Sequence, residues 1–218
     1  MKIGIIGAGH IGGTLTRRFA ELGHDVSVAN SRGPETLADV AAETGATAVT
    51  PGDAVRDKDV VVVTIPEKSI TDLPDDLFHG ARSDTVVVDT GNYYPRRDGR
   101  IDAIEAGSPE SKWVSEQLGR PVVKAFNNIV AQHLLEDGRP AGDPNRIALP
   151  VAGDDPGAKE VVMRLVNELG FDAVDAGTLD ESWKQQPGTP VYAADLDAAG
   201  VRRALAEASP ERQAGFRA

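Results

Sequence analysis

The chain has 218 residues, 34 acidic against 23 basic, and a formal net charge of −11. That balance argues against a nucleic-acid backbone or an anionic membrane surface as the main partner, so an anionic ligand needs a local basic pocket. There is no cysteine, which excludes disulfide scaffolds, thiolate-bound metals and cysteine nucleophiles.

Taken in chain order, the first element is a strand at Ile3-Gly4-Ile5-Ile6. A helix follows over 11–22, with Ile11, Leu15, Phe19 and Leu22 at helical spacing and Gly23 as its stop. Val26-Ser27-Val28-Ala29 reads as the second strand, and Pro34 opens a helix over 35–44 that Gly45 ends. Further strands are predicted at 60–63, 86–88, 122–125 and 147–151. The run from Gly91 to Gly107 reads as a long polar loop. Ala158, Val161, Val162, Leu165, Val166 and Leu169 make the stripe of a helix that starts beside Asp154-Asp155 and ends at Gly170. From Gly177 onward the text is polar and irregular, and a last amphipathic helix is expected over about 198–208.

Continuous rather than alternating apolar runs suit strands buried on both faces, the signature of a parallel sheet covered by helices. The fold class expected is therefore α/β, a doubly wound Rossmann-type fold.

Gly7-Ala8-Gly9-His10-Ile11-Gly12 spells GxGxxG between the first strand and the first helix, the context in which the pattern binds a dinucleotide. Gly7 makes the tight turn, Gly9 lets the backbone approach the pyrophosphate, and Gly12 lets the helix pack on the strand. His10 occupies a variable position of this loop and is given no chemistry. His24, His79 and His133 lack metal-ligand spacing, so no metal is expected.

About 20 residues beyond the glycines an acidic residue normally reads the ribose hydroxyl of NAD. Here Asn30-Ser31-Arg32 stands in that place. A carboxylate would repel a 2′-phosphate, whereas Asn and Ser donate hydrogen bonds and an arginine fork grips it, so the cofactor predicted is NADP.

Ligands of doubly wound sheets lie outside the carboxyl ends of the strands. Those ends are Thr64-Ile65-Pro66, Asp89-Thr90-Gly91-Asn92 and Ala125-Phe126-Asn127-Asn128. Ile65 and Pro66 offer a flat apolar surface, and Asn92, Asn127 and Asn128 offer amides for the carboxamide or for substrate; each asparagine can equally bond its own loop. Lys124 is read as a buried charge with a structural partner or as a catalytic candidate. With no Ser-His-Asp arrangement or Tyr-x-x-x-Lys pair in view, hydride transfer by alignment is expected, without an assigned catalytic residue.

The glycine loop, Asn30-Ser31-Arg32, Thr64-Ile65-Pro66, Val122-Val123-Lys124-Ala125-Phe126-Asn127 and Asp175-Ala176-Gly177-Thr178-Leu179, in that order, resemble the NADP-dependent reductases of the deazaflavin coenzyme F-420. The cytosolic domain of membrane ferric reductases is similar. The resemblance implies a mostly parallel sheet of about eight strands with NADP across its carboxyl edge, and hydride exchange with coenzyme F-420. It implies Gly7, Ala8, Gly9, His10, Ile11 and Gly12 on the pyrophosphate and Ser31 and Arg32, with Asn30, on the 2′-phosphate. It implies Ile65 and Pro66 near the nicotinamide and Asn127, Asn128 and Ile129 by the second ring; Thr64, Asn92, Ala125 and Asn127 are expected along the rest of the cofactor, and Thr178 with Asn128 and Ile129 on the second substrate. The segment Ser182-Trp183-Lys184-Gln185-Gln186-Pro187-Gly188 departs from the family's apolar helical text.

Two other functions stay open: reduction of a small carbonyl, imine or quinone, and a non-catalytic NADPH sensor. An NADP-binding domain over 1–179 and an extension over 180–218 are expected, the extension covering the active site or forming an interface through Trp183 and Tyr192. No apolar stretch approaches roughly 18 residues, so a soluble, cytoplasmic homodimer with a small-molecule redox partner, without nucleic acid or membrane, completes the expectation.

Overall fold

The computed structural model describes residues 1–218. Eight strands form: β1 (Lys2–Ile6), β2 (Asp25–Ala29), β3 (Thr47–Ala48), β4 (Val60–Val63), β5 (Val86–Asp89), β6 (Val123–Lys124), β7 (Ala148–Val151) and β8 (Asp172–Asp175). The helices are α1 (His10–Glu21), α2 (Ala38–Thr44), α3 (Pro51–Val55), α4 (Pro95–Asp98), α5 (Asp102–Glu105), α6 (Glu110–Leu118), α7 (Ala131–Glu136), α8 (Pro156–Glu168) and α9 (Ala198–Ala206). No helix is long and apolar enough to cross a membrane.

Six strands make a parallel sheet in the order β3-β2-β1-β4-β5-β6, and β7 and β8 pair separately, also in parallel. The eight strands are thus divided between two sheets, which a single antiparallel bridge between Lys124 and Ala152 connects. The reason lies in β6, which has only two residues before Phe126 takes a left-handed conformation at φ 61° and turns the chain away.

The apolar runs are buried on both faces by simple alternation. Ile3, Ile5, Val60, Val62 and Val88 face Leu15 and Phe19 of α1 and Val162 and Leu165 of α8. Ile6, Val61, Val63 and Val87 face Val55 of α3 and Trp113 and Val114 of α6. Within β1, Gly4 is required by packing: a Cβ there would stand 1.7 Å from the carbonyl oxygen of Ala54.

Two segments differ from expectation. Residues between Gly91 and Gly107 are not a polar loop but carry α4 and α5, anchored by a fully buried Tyr93 whose hydroxyl donates to the Gly99 carbonyl at 2.9 Å. The text after Gly177 is not irregular either, because Leu179–Gln185 winds into a 3-10 helix and buries Ser182 and Gln185. Helix α9 packs on β7 and β8 around Val174, Val191, Val201 and Leu205, so the C-terminal segment covers the small sheet with a core of its own.

Candidate functional site

The sheet order reverses between β1 and β4, which places a crevice at the carboxyl ends of these two strands. Two cavities open there, one on each side of the glycine loop, and Ala8 and Gly9 line both. The first, about 570 Å3, is bounded by Gly7, Asn30, Ser31, Arg32, Thr64 and Pro66 among others. The second, about 820 Å3, is bounded by His10, Ile11, Asn92, Asn127, Ile129 and Tyr192 among others.

The loop between them is built by three glycines under different constraints. Gly7 sits at φ 110°, and a Cβ there would meet the Thr64 carbonyl oxygen at 2.3 Å. At Gly12 a Cβ would meet the Gly7 carbonyl oxygen at 1.9 Å, which fixes how closely α1 packs on the loop. Gly9 is unlike both. Its φ is −75°, and an added Cβ meets nothing within 4 Å. The protein itself does not require glycine at this position, so the requirement must come from what lies against the loop. The open space at Gly9 is where a pyrophosphate fits. Helix α1 begins there with no side-chain cap and no acidic residue in its first turn, leaving its leading amides for an anion.

In the first cavity the three residues after β2 divide their work. Asn30 serves the loop: its Oδ1 accepts from the Arg32 backbone N–H at 2.9 Å, and one proton of its Nδ2 goes to Thr36 Oγ1 at 2.9 Å. Ser31 and Arg32 are exposed on the cavity wall, their side chains free for a ligand. Asn30 therefore shapes the turn that presents them.

In the second cavity the strand ends are braced across the sheet. Asn127 donates both amide protons inside the protein, to Asn92 Oδ1 at 3.1 Å and to the Gln185 carbonyl at 2.7 Å. Gln185 Nε2 returns a bond to Asn127 Oδ1 at 3.0 Å, and Asn92 Nδ2 donates to the Asn127 carbonyl at 2.9 Å. The asparagines thus set the shape of the wall, and Asn127 has no proton left for a carboxamide. Gln185 is a positioning residue that the sequence reading missed; only its place in a polar run without helical pattern marks it, and that signal is weak.

Lys124 is fully buried and lines neither cavity. Its Nζ donates to Asp89 Oδ2 at 3.1 Å and to the Gly91 carbonyl at 2.5 Å, tying β6 to the end of β5. The structural partner expected for it is therefore present, and the catalytic candidacy has no geometric support. Glu67, also fully buried, has both carboxylate oxygens without a hydrogen-bond partner. Burial first, and the Asp89 charge second, push its carboxyl well above the usual carboxylate range, while Lys124 pulls it the other way.

Of the residues expected at a second substrate, Ile129 lines the cavity and Asn128 and Thr178 do not. Asn128 is buried with its carbonyl accepting from the Ala193 N–H at 2.9 Å. Thr178 caps the 3-10 helix with Glu181 in a capping box on the exterior. Ala125 sits in the core behind the site. Trp183 lines a separate cavity of about 670 Å3 with Arg100 and Gln186, away from the glycine loop, and so does not cover the second cavity. Tyr192 does, and it meets Tyr94, which the polar-loop reading had hidden.

Residues 2–93 match the family model described as NADP oxidoreductase, coenzyme F420-dependent. The Escherichia coli (strain K12) protein YjhV is 52% identical over 66 residues, 30% of this chain and 48% of that protein, so the chain spans about half the length of this curated relative. The crystal structure of hypothetical protein SMa0349 from Sinorhizobium meliloti superposes with a TM-score of 0.76 at 34% identity, covering 90% of this chain and 95% of that one. A protein of Arthrobacter sp. FB24, provisionally described as an F420-dependent NADP reductase, gives a TM-score of 0.66 at 24% identity over 82% of this chain and 86% of that one.

Proposed function

We propose that the chain, whose residues 2–93 match the model described as NADP oxidoreductase, coenzyme F420-dependent, passes hydride between NADPH and a second, ring-shaped carrier of deazaflavin or flavin type. The observation that carries this reading is Gly9, a glycine that nothing in the protein demands, standing where the two cavities meet.

In this reading the 2′-phosphate lies on Ser31 and Arg32 in the first cavity, where the guanidinium supplies charge-assisted bonds in a chain that is otherwise strongly acidic. The amides at the start of α1 hold the pyrophosphate. Ile65 and Pro66 give the apolar surface on which the cofactor rests. The second cavity takes the nicotinamide end and the acceptor together, between Ile11, Ile129, Val130 and Leu135. NADPH, when bound, would supply a hydride, and a flavin-type acceptor would take up that hydride together with one proton from solvent. The residues of the second cavity hold the two rings face to face and exclude water, which is the part of the task that alignment performs.

The test is NADPH oxidation against a panel of coenzyme F-420, flavin mononucleotide, a quinone and a cyclic imine, with calorimetric titration of NADPH beside it. Turnover with F-420 or the flavin supports the reading. NADPH binding without turnover on any acceptor would favour a sensor, and turnover only on the imine or quinone a small-substrate reductase.

A further inference from the structure

The hydroxyls of Tyr94 and Tyr192, 98 positions apart in the chain, hydrogen-bond to each other, and both residues line the second cavity. Two phenols carry two O–H protons, and their mutual bond uses one. The other has no acceptor within the protein. The pair therefore presents one O–H donor beside free oxygen lone pairs.

Beyond His10 and Thr14, which stand on α1, little else on that wall offers a directed polar group. Ile129, Val130, Ala131 and Leu135 are apolar, both amide protons of Asn127 are committed to the brace across the sheet, and Asn92 gives one of its own to it. Gln132 donates to Glu136, and Arg17 is engaged by Glu43 at 2.7 and 2.8 Å. Both tyrosines are firmly mounted. The Tyr94 backbone N–H is held by Asp98 Oδ2 at 2.8 Å, and the Arg97 guanidinium lies 5.0 Å from the ring centroid. Tyr192 is held through its own N–H to the Thr189 carbonyl at 3.1 Å, and the next residue is tied to the Asn128 carbonyl at 2.9 Å.

We infer that the Tyr94–Tyr192 hydroxyl pair positions the acceptor by gripping the imide edge of its ring, a carbonyl oxygen next to a ring N–H, donating to the first and accepting from the second. This rests on the proposed function and narrows its acceptor class to rings with such an edge. Burial and the bond to Tyr192 push the Tyr94 phenol well up, so Tyr94 keeps its proton for hydrogen bonding. It is a positioning element and gives up no proton in the reaction. Because Tyr192 comes from the C-terminal segment and Tyr94 from the loop after β5, the same bond closes that segment over the cavity.

The experiment uses the full chain, Tyr94→Phe and Tyr192→Phe, with lumiflavin and its derivative methylated on the imide nitrogen as acceptors. NADPH affinity is followed by calorimetry. In the wild-type protein, methylation should raise KM about three- to tenfold, the worth of one hydrogen bond. In either variant the KM for lumiflavin should rise by a similar factor, the methylation penalty should shrink towards onefold, and NADPH affinity should stay put. Equal KM values for the two flavins in the wild-type protein overturn the inference without any mutation, as does failure to reduce lumiflavin or F-420 while an acceptor without an imide edge turns over. A variant that loses both flavins equally also overturns it, since that is the behaviour of a purely structural contact. Failure of the wild-type protein to bind NADPH removes the proposed function itself, and the inference with it.

Discussion

Asn92 and Asn127 bond each other twice, side chain to side chain at 3.1 Å and side chain to backbone at 2.9 Å, and so lock the ends of β5 and β6 together beside the larger cavity. Gln185 completes the brace from the C-terminal segment. Asn127→Ala would leave the Gln185 amide and carbonyl buried without these partners, at a cost of about 1–3 kcal/mol. Urea denaturation should show that loss, with NADPH affinity changed far less, because Asn127 has no free proton for the cofactor.

Arg32 stands exposed on the smaller cavity, held up by the Asn30 turn. Arg32→Ala should remove a charge-assisted contact to the 2′-phosphate, about 1.5–3 kcal/mol, or roughly ten- to a hundredfold in NADPH affinity. NADH affinity should barely move. Titration of both cofactors checks it, and equal weakening of the two would assign Arg32 to something other than the phosphate.

The glycine loop allows two substitutions to be set against each other. Gly9→Val adds its side chain to open space, so the protein should fold and melt near the wild-type temperature while NADPH binding disappears. Gly12→Ala places a methyl 1.9 Å from the Gly7 carbonyl oxygen, so it should be strongly destabilised before binding can be asked about. Thermal melts with calorimetry separate the two. Near-normal NADPH affinity in folded Gly9→Val protein would make the loop a mere structural turn.

Glu67 ties stability to pH. Its carboxyl is raised in the folded protein by burial and by Asp89, so the folded state favours the protonated form. Its contribution is fully present below the ordinary carboxylate range and is lost as pH rises through the elevated folded value. Glu67→Gln should therefore gain stability relative to the wild-type protein at neutral and alkaline pH, and the difference should close as pH falls below about 4. A wild-type minus variant difference that is flat with pH would place the ionised carboxylate in the folded protein.

The sequence alone determined the doubly wound architecture, because strands covered on both faces must be apolar at every position and α1 and α8 carry their own stripes and stop signals. It also determined the glycine loop and the non-acidic residues after β2, since these depend on local backbone geometry and on charge. What lay beyond it depends on contacts between distant parts of the chain. The short helices α4 and α5 are held by Tyr93 in the core, not by any periodicity of their own. The 3-10 helix over Leu179–Gln185 is polar in text, yet it is buried because Gln185 satisfies its amide on Asn127 and the Pro150 carbonyl. The turn at Phe126, left-handed in a bulky residue that is 1% exposed, survives only because the surrounding core outweighs its strain. Whether Lys124 serves chemistry or structure, and which aromatic side chain of the C-terminal segment faces the cavity, were decided the same way. A buried charge takes its role from the partner it meets, and Tyr192 rather than Trp183 reaches the site because only the folded chain brings it to Tyr94.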